Sequence, residues 1–125
     1  MKRTVRAVFL IAILAGGSIA TVQPALAGCN VNVTFVNKDS KKATVHLADS
    51  KVKVKNGTYK KLGTTNVSVS ANDDRQRSFA LDLGCSFQRR YKFYVTESGE
   101  GSRTIYKPNP NGFTTNTNLT VNINF

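Results

Sequence analysis

Apolar residues recur at every second position through most of this 125-residue chain, a period that admits β-strands and excludes a helical fold. Cys29, Val31, Val33 and Phe35 point one way, while Asn30, Asn32 and Thr34 point the other. Asn37 to Lys42 is polar and reads as a turn, after which Ala43, Val45 and Leu47 resume the alternation. Lys51-Val52-Lys53-Val54-Lys55 is a further strand ended by Asn56-Gly57, a strong tight-turn signal. Weaker strands are expected through Thr58–Leu62 and Asn66–Ser70. Beyond the turn at Ala71–Asp74 come the inward rows Phe79, Leu81, Leu83, Cys85 and Tyr91, Phe93, Val95. Arg103–Lys107 and the row Leu119, Val121, Ile123, Phe125 complete the set, separated by the Pro108–Gly112 loop. Seven to nine short strands with polar turns predict an all-β, antiparallel β-sandwich, with a small β-barrel as the alternative.

The N-terminus reads differently. Lys2, Arg3 and Arg6 precede an apolar run from Ala7 to Leu14, then the helix-breaking Gln23-Pro24 and the small-x-small tripeptide Ala25-Leu26-Ala27. This is the anatomy of a secretory signal peptide, so residues 1–27 are expected to be cleaved, leaving one β domain over residues 28–125. No other segment is apolar enough to predict a transmembrane span after cleavage. Export implies an oxidising compartment, secreted or periplasmic, in which Cys29 and Cys85 are expected to form a disulfide. Their positions agree, since each continues an inward-facing row. Leu26-Ala27-Gly28-Cys29 also resembles the bacterial lipobox, which implies an alternative mature form anchored by lipid through Cys29.

Catalytic constellations are scarce. The chain has one histidine and seven acidic residues. His46 falls on the polar side of its strand, and Asp73 and Asp74 sit in a turn that Asx hydrogen bonding explains. No calcium loop, phosphate-cradling glycine motif or Gly-x-Ser-x-Gly elbow is present in the sequence. We therefore expect no catalytic residues, no metal ligands, no cofactor and a non-enzymatic role.

Charge is the strongest functional hint. Lys2, Arg3 and Arg6 lie in the leader, which leaves 15 Lys and Arg against seven Asp and Glu, a formal charge of +8. Lys51, Lys53 and Lys55 share one strand face, and Arg90, Lys92 and Tyr94 share another. These six are the candidate ligand-binding residues. Further basic clusters occur at Lys41-Lys42, Lys60-Lys61, Arg75 with Arg77, and Arg89, and Tyr59, Tyr91 and Tyr106 could extend an aromatic platform. Such a surface suits an anionic polysaccharide or a lipid surface. Nucleic acid is disfavoured because export removes most encounters with it. Lysines on alternate positions also guard an edge strand against aggregation, which needs no ligand.

Two other roles fit the composition. The terminal strand resembles the C-terminal strands of chaperone-assembled pilins and outer-membrane barrels, which implies a structural or assembly protein of the cell surface. A small disulfide-bridged domain with this charge could also be a secreted inhibitor of an acidic protein partner.

Overall fold

The computed structural model describes residues 28–125, and the leader expected over residues 1–27 lies outside them. Where the sequence alternates, the chain forms strands: β1 Cys29–Asn37, β2 Ala43–Val45, β3 Lys51–Val54, β4 Lys60–Lys61 and β5 Val67–Val69. β6 Asp74–Leu81, β7 Arg89–Glu97, β8 Gly101–Lys107 and β9 Asn118–Ile123 follow. They make two sheets packed as a sandwich, without closure into a barrel. No helix among the described residues is long and apolar enough to cross a membrane.

The smaller sheet has the order β6-β1-β9. β1 pairs antiparallel with β6 but parallel with β9, a departure from the all-antiparallel expectation. In the larger sheet β7 is the spine. β8 runs along one edge of it, and β2 and β3 lie end to end along the other. β5 then adds to β2, and β4 adds to β3. The outer edge of β8 carries Arg103 and Lys107 and stops at Pro108, features that discourage strand addition.

The splice between β2 and β3 is made by Ser50. The chain turns through Leu47–Asp49 and breaks the ladder, leaving the Tyr94 amide without a carbonyl partner from that strand. The buried Ser50 hydroxyl fills the gap: it accepts from the Tyr94 N–H at 3.0 Å and donates to the His46 carbonyl at 2.8 Å. The ladder continues on both sides of one side chain.

Inward rows of both sheets form one core. Val31, Val33 and Phe35 of β1 with Val121 and Ile123 of β9 face Val45, Tyr91, Phe93 and Val95, all essentially inaccessible to solvent. Phe35 meets Phe93 edge to face with ring centroids 5.3 Å apart, the arrangement that aromatic quadrupoles favour. Asn37, expected in a turn, is instead the last inward residue of β1 and is buried. Its amide donates to the carbonyls of Lys41, Val69 and Ser70, and its carbonyl oxygen accepts from the Asp39 N–H. A polar side chain is tolerated there because its hydrogen-bonding capacity is met by backbone groups of two loops.

Cys29 and Cys85 are joined across 56 residues, with Cα atoms 4.9 Å apart, and no described cysteine is free. A lipidated Cys29 and this bridge exclude each other. Contrary to what alternation predicts, the bridge does not join two inward-facing rows. β6 ends at Leu81, so Leu83 and Cys85 do not continue its inward row; Leu83 is exposed, and Cys85 sits in an exposed turn. Only Cys29 is buried, and the disulfide ties that turn to the first residue of β1.

Candidate binding face

The outer face of the larger sheet follows from two alternating strands laid side by side. In β3 burial of Val52 turns Lys51 and Lys53 outward. In β7 the inward row is Arg89, Tyr91, Phe93, Val95 and Glu97, which turns Arg90, Lys92, Tyr94 and Thr96 outward. Register then decides which of these meet. Lys51 stands opposite Lys61 of β4 on one side and Lys92 of β7 on the other, so three lysines lie abreast. In the next row Lys53 stands opposite Arg90. Tyr106 and Thr104 of β8 continue the two rows formed by Lys92 and Tyr94.

Like charges directly opposite each other in a sheet are destabilising, by a few tenths to about 1 kcal/mol per pair. Here three such pairs are adjacent. Acidic side chains do not relieve them: the salt bridges among the described residues are Lys41–Glu100 and Lys60–Asp82, neither of which involves these four cations or Lys61. Aromatic rings spread part of the charge instead. Lys92 lies 4.3 Å and Lys53 5.2 Å from the centroid of Tyr59. Arg90 lies 4.4 Å from the centroid of Phe113, and Lys53 reaches the same ring at 5.9 Å. The order across the face is therefore Lys92, Tyr59, Lys53, Phe113, Arg90, with cation and ring alternating. Such contacts are worth about 0.5–1 kcal/mol each on an exposed surface.

Five of the six expected residues, Lys51, Lys53, Arg90, Lys92 and Tyr94, share this face. Lys55 does not lie on a strand. It occupies the turn before Asn56, whose φ of 67° lets the Gly57 N–H return to the Val54 carbonyl. Arg89 also leaves the basic cluster in which its sequence neighbours place it, since it points inward and is buried. Tyr91 leaves the aromatic platform for the same reason and stacks on Phe93. His46, expected to face solvent, is half-buried, with Nε2 2.7 Å from Thr96 Oγ1 and its ring 5.5 Å from that of Tyr94.

Phe113 and Lys61 are the additions. Phe113 arrives from the Pro-Asn loop, which docks on β7 through paired backbone bonds between Arg89 and Thr114. The Arg90 Nε donates to the Gly112 carbonyl at 3.1 Å and holds the ring in place. No sequence period announces a loop residue of this kind.

Glu97 ends the inward row of β7 near the opposite end of the sheet and is buried, with Oε2 lacking any hydrogen-bond partner. Burial pushes its pKa up from the ordinary carboxylate value, and the neighbouring Asp39 and Glu100 carboxyls add to the effect against the weaker opposite pull of Lys41. A carboxyl whose pKa is raised on folding favours the native state below its ordinary value near 4.5 and loses that contribution as pH rises through the folded value. Glu97→Gln is thus expected to raise the unfolding midpoint at pH 7 and to leave it unchanged at pH 4. Thermal denaturation at the two pH values checks this.

No family model matches this chain, and neither a curated protein nor a solved structure matches it. The fold and the face define it as a disulfide-bridged β-sandwich that presents a cationic, aromatic-lined sheet. Among the described residues no cluster of three or more His, Cys, Asp or Glu side chains is placed to hold a metal ion.

Proposed function

We propose that the protein is an exported, non-catalytic binding module, secreted or periplasmic, that takes an anionic polysaccharide on the outer face of its larger sheet. The observation that carries this reading is the adjacency of Lys61, Lys51 and Lys92 above Lys53 and Arg90 with no acidic counterpart. A surface selected only for solubility intersperses charge of both signs. Here repulsion is concentrated, and an anion bound over the face would relieve it. Neighbouring strands are about 4.8 Å apart, and the two rows are about 7 Å apart along the strand direction, so the cations form a flat grid. A flat grid suits an extended polymer with regularly spaced carboxylates or sulfates. Tyr59, Phe113 and Tyr94 offer ring surface for sugar between the charges. The exposed apolar residues Leu83 and Phe87 lie in the loop that follows β6 and not on the strands that carry these rows, which makes insertion of this face into a bilayer the weaker alternative.

Retention on an immobilised sulfated polysaccharide tests the reading. Charges on an exposed face are screened within about 8 Å at physiological ionic strength, so retention is expected to be strong in low salt and lost by about 0.5 M. Absence of retention at low salt, or elution independent of salt, would refute it. Vesicles with and without anionic lipid form a second arm; tighter binding to anionic vesicles than to the polysaccharide would move the assignment to a lipid headgroup.

A further inference from the structure

We propose a second binding site, for a small amphipathic anion: a short acyl chain ending in a carboxylate or phosphate. The site is a cleft of ≈ 290 Å³ at the end of the sandwich, between β3, β4 and the end of β6. That volume lies just below the usual range of ligand clefts, about 300–1,000 Å³, and suits a single chain rather than a fused ring system. Val52, Val54, Leu62, Leu81 and Leu83 supply apolar lining. Leu83 is 39 % exposed although it belongs to this lining, the condition of a side chain at the mouth of a site awaiting a cover.

The anion is inferred from Arg89. Its side chain lines the cleft, yet the residue is only 4 % exposed. Buried cations are ordinarily paired with a carboxylate, because desolvating an unpaired charge is costly. Arg89 makes no ion pair among the described residues. Its two Nη groups donate to the carbonyls of Leu83, at 2.6 Å, and Phe87, at 3.4 Å. Two neutral acceptors take only part of the five-donor guanidinium fork. The charge is left without an ion pair among the described residues, although it is near enough to the Asp82 carboxyl to add to the Lys60 hydrogen bond in lowering that group's pKa. Asp82 is the one carboxylate on the lining, and it is exposed and engaged by Lys60 at 3.0 Å. Lys60 and Lys61 add positive charge to the same wall. A buried cation beside an apolar slot is complementary to a ligand with one charged end and one hydrocarbon end. The cleft adjoins the cationic face, sharing Lys53 and Lys61 with it, but Lys51, Arg90, Lys92 and Tyr94 do not line it.

Titration of ¹⁵N-labelled protein with decanoate, decyl phosphate, 1-decanol and acetate tests the assignment. Decanoate or decyl phosphate is expected to shift the amides of Val52, Val54, Leu62 and Leu81 and to bind about tenfold more tightly than 1-decanol, the effect of one charge-assisted contact. Acetate, with a head and no chain, is expected to bind far more weakly. Tighter binding of decanoate identifies a free fatty acid as the source, and tighter binding of decyl phosphate identifies a lipid phosphate. Leu83→Glu, at an exposed position where folding is not threatened, should weaken decanoate binding about tenfold, and Lys92→Glu, on the face but outside the cleft, should weaken polysaccharide retention while changing decanoate binding less than about threefold. Equal affinity for decanoate and 1-decanol, shifts confined to Lys51, Lys92 and Tyr94, or no shifts at all would overturn the proposal.

Discussion

The double variant Lys53→Glu/Lys92→Glu should lose anionic polysaccharide binding by about two to three orders of magnitude while folding at least as stably as the parent. Each reversal changes the local charge by two, and one unit charge at contact distance is worth about 1 kcal/mol in high dielectric. Four such units amount to roughly three decades in affinity. Stability moves the other way. A glutamate at position 92 would face Lys51, and one at position 53 would face Arg90, so two repulsive cross-strand pairs become attractive. Loss of the cation–π contacts to Tyr59 and Phe113 offsets part of that gain. Affinity chromatography and urea denaturation on the same samples separate the two effects. A variant that still binds would refute the face; one that binds poorly because it is unfolded would show a collapsed denaturation midpoint.

Removing the disulfide is expected to cost about 4 kcal/mol. The bridge closes a loop whose ends are 56 residues apart, and the chain-entropy estimate for that length is of this order. For a domain of 98 residues, whose whole stability is on the order of 5–15 kcal/mol, the loss is a large fraction. Cys29→Ser/Cys85→Ser should therefore shift the urea midpoint far down. The parent protein measured with and without reductant should show the same difference. A change below about 1 kcal/mol would mean that the unfolded chain is already constrained in this region.

Much of the sandwich was legible because β1 and β7 carry long, unbroken alternation. Parity alone put Val31, Val33 and Phe35 on one side, and Lys92 and Tyr94 on the other. Sequence and structure part where a polar residue continues an inward row, or where alternation outlasts the strand. Asn37 continues the inward row of β1 but is polar, so it read as a turn; its burial depends on loop carbonyls distant in sequence. Arg89, read as part of a basic cluster, likewise begins the inward row of β7, which the charged Glu97 ends. Leu83 and Cys85 fail in the opposite way, because alternation persists past Leu81 after the pairing with β1 has stopped. The binding face itself required register. That Lys51 has Lys61 and Lys92 as neighbours is a property of strand pairing, which a single sequence does not specify, and Phe113 joins from a loop.

The position of β1 has a consequence for when the chain can fold. β1 is the middle strand of its sheet, yet its partners are Asp74–Leu81 and Asn118–Ile123, so the earliest strand to be synthesised waits for the last. Pairings of such wide sequence separation form slowly, since loop closure precedes any gain in contacts. Until β9 arrives, Val33 and Phe35 lack the Leu119 and Val121 neighbours that complete their sheet. A chain wired in this order cannot complete its smaller sheet, and so cannot close that side of its core, until β9 has been made.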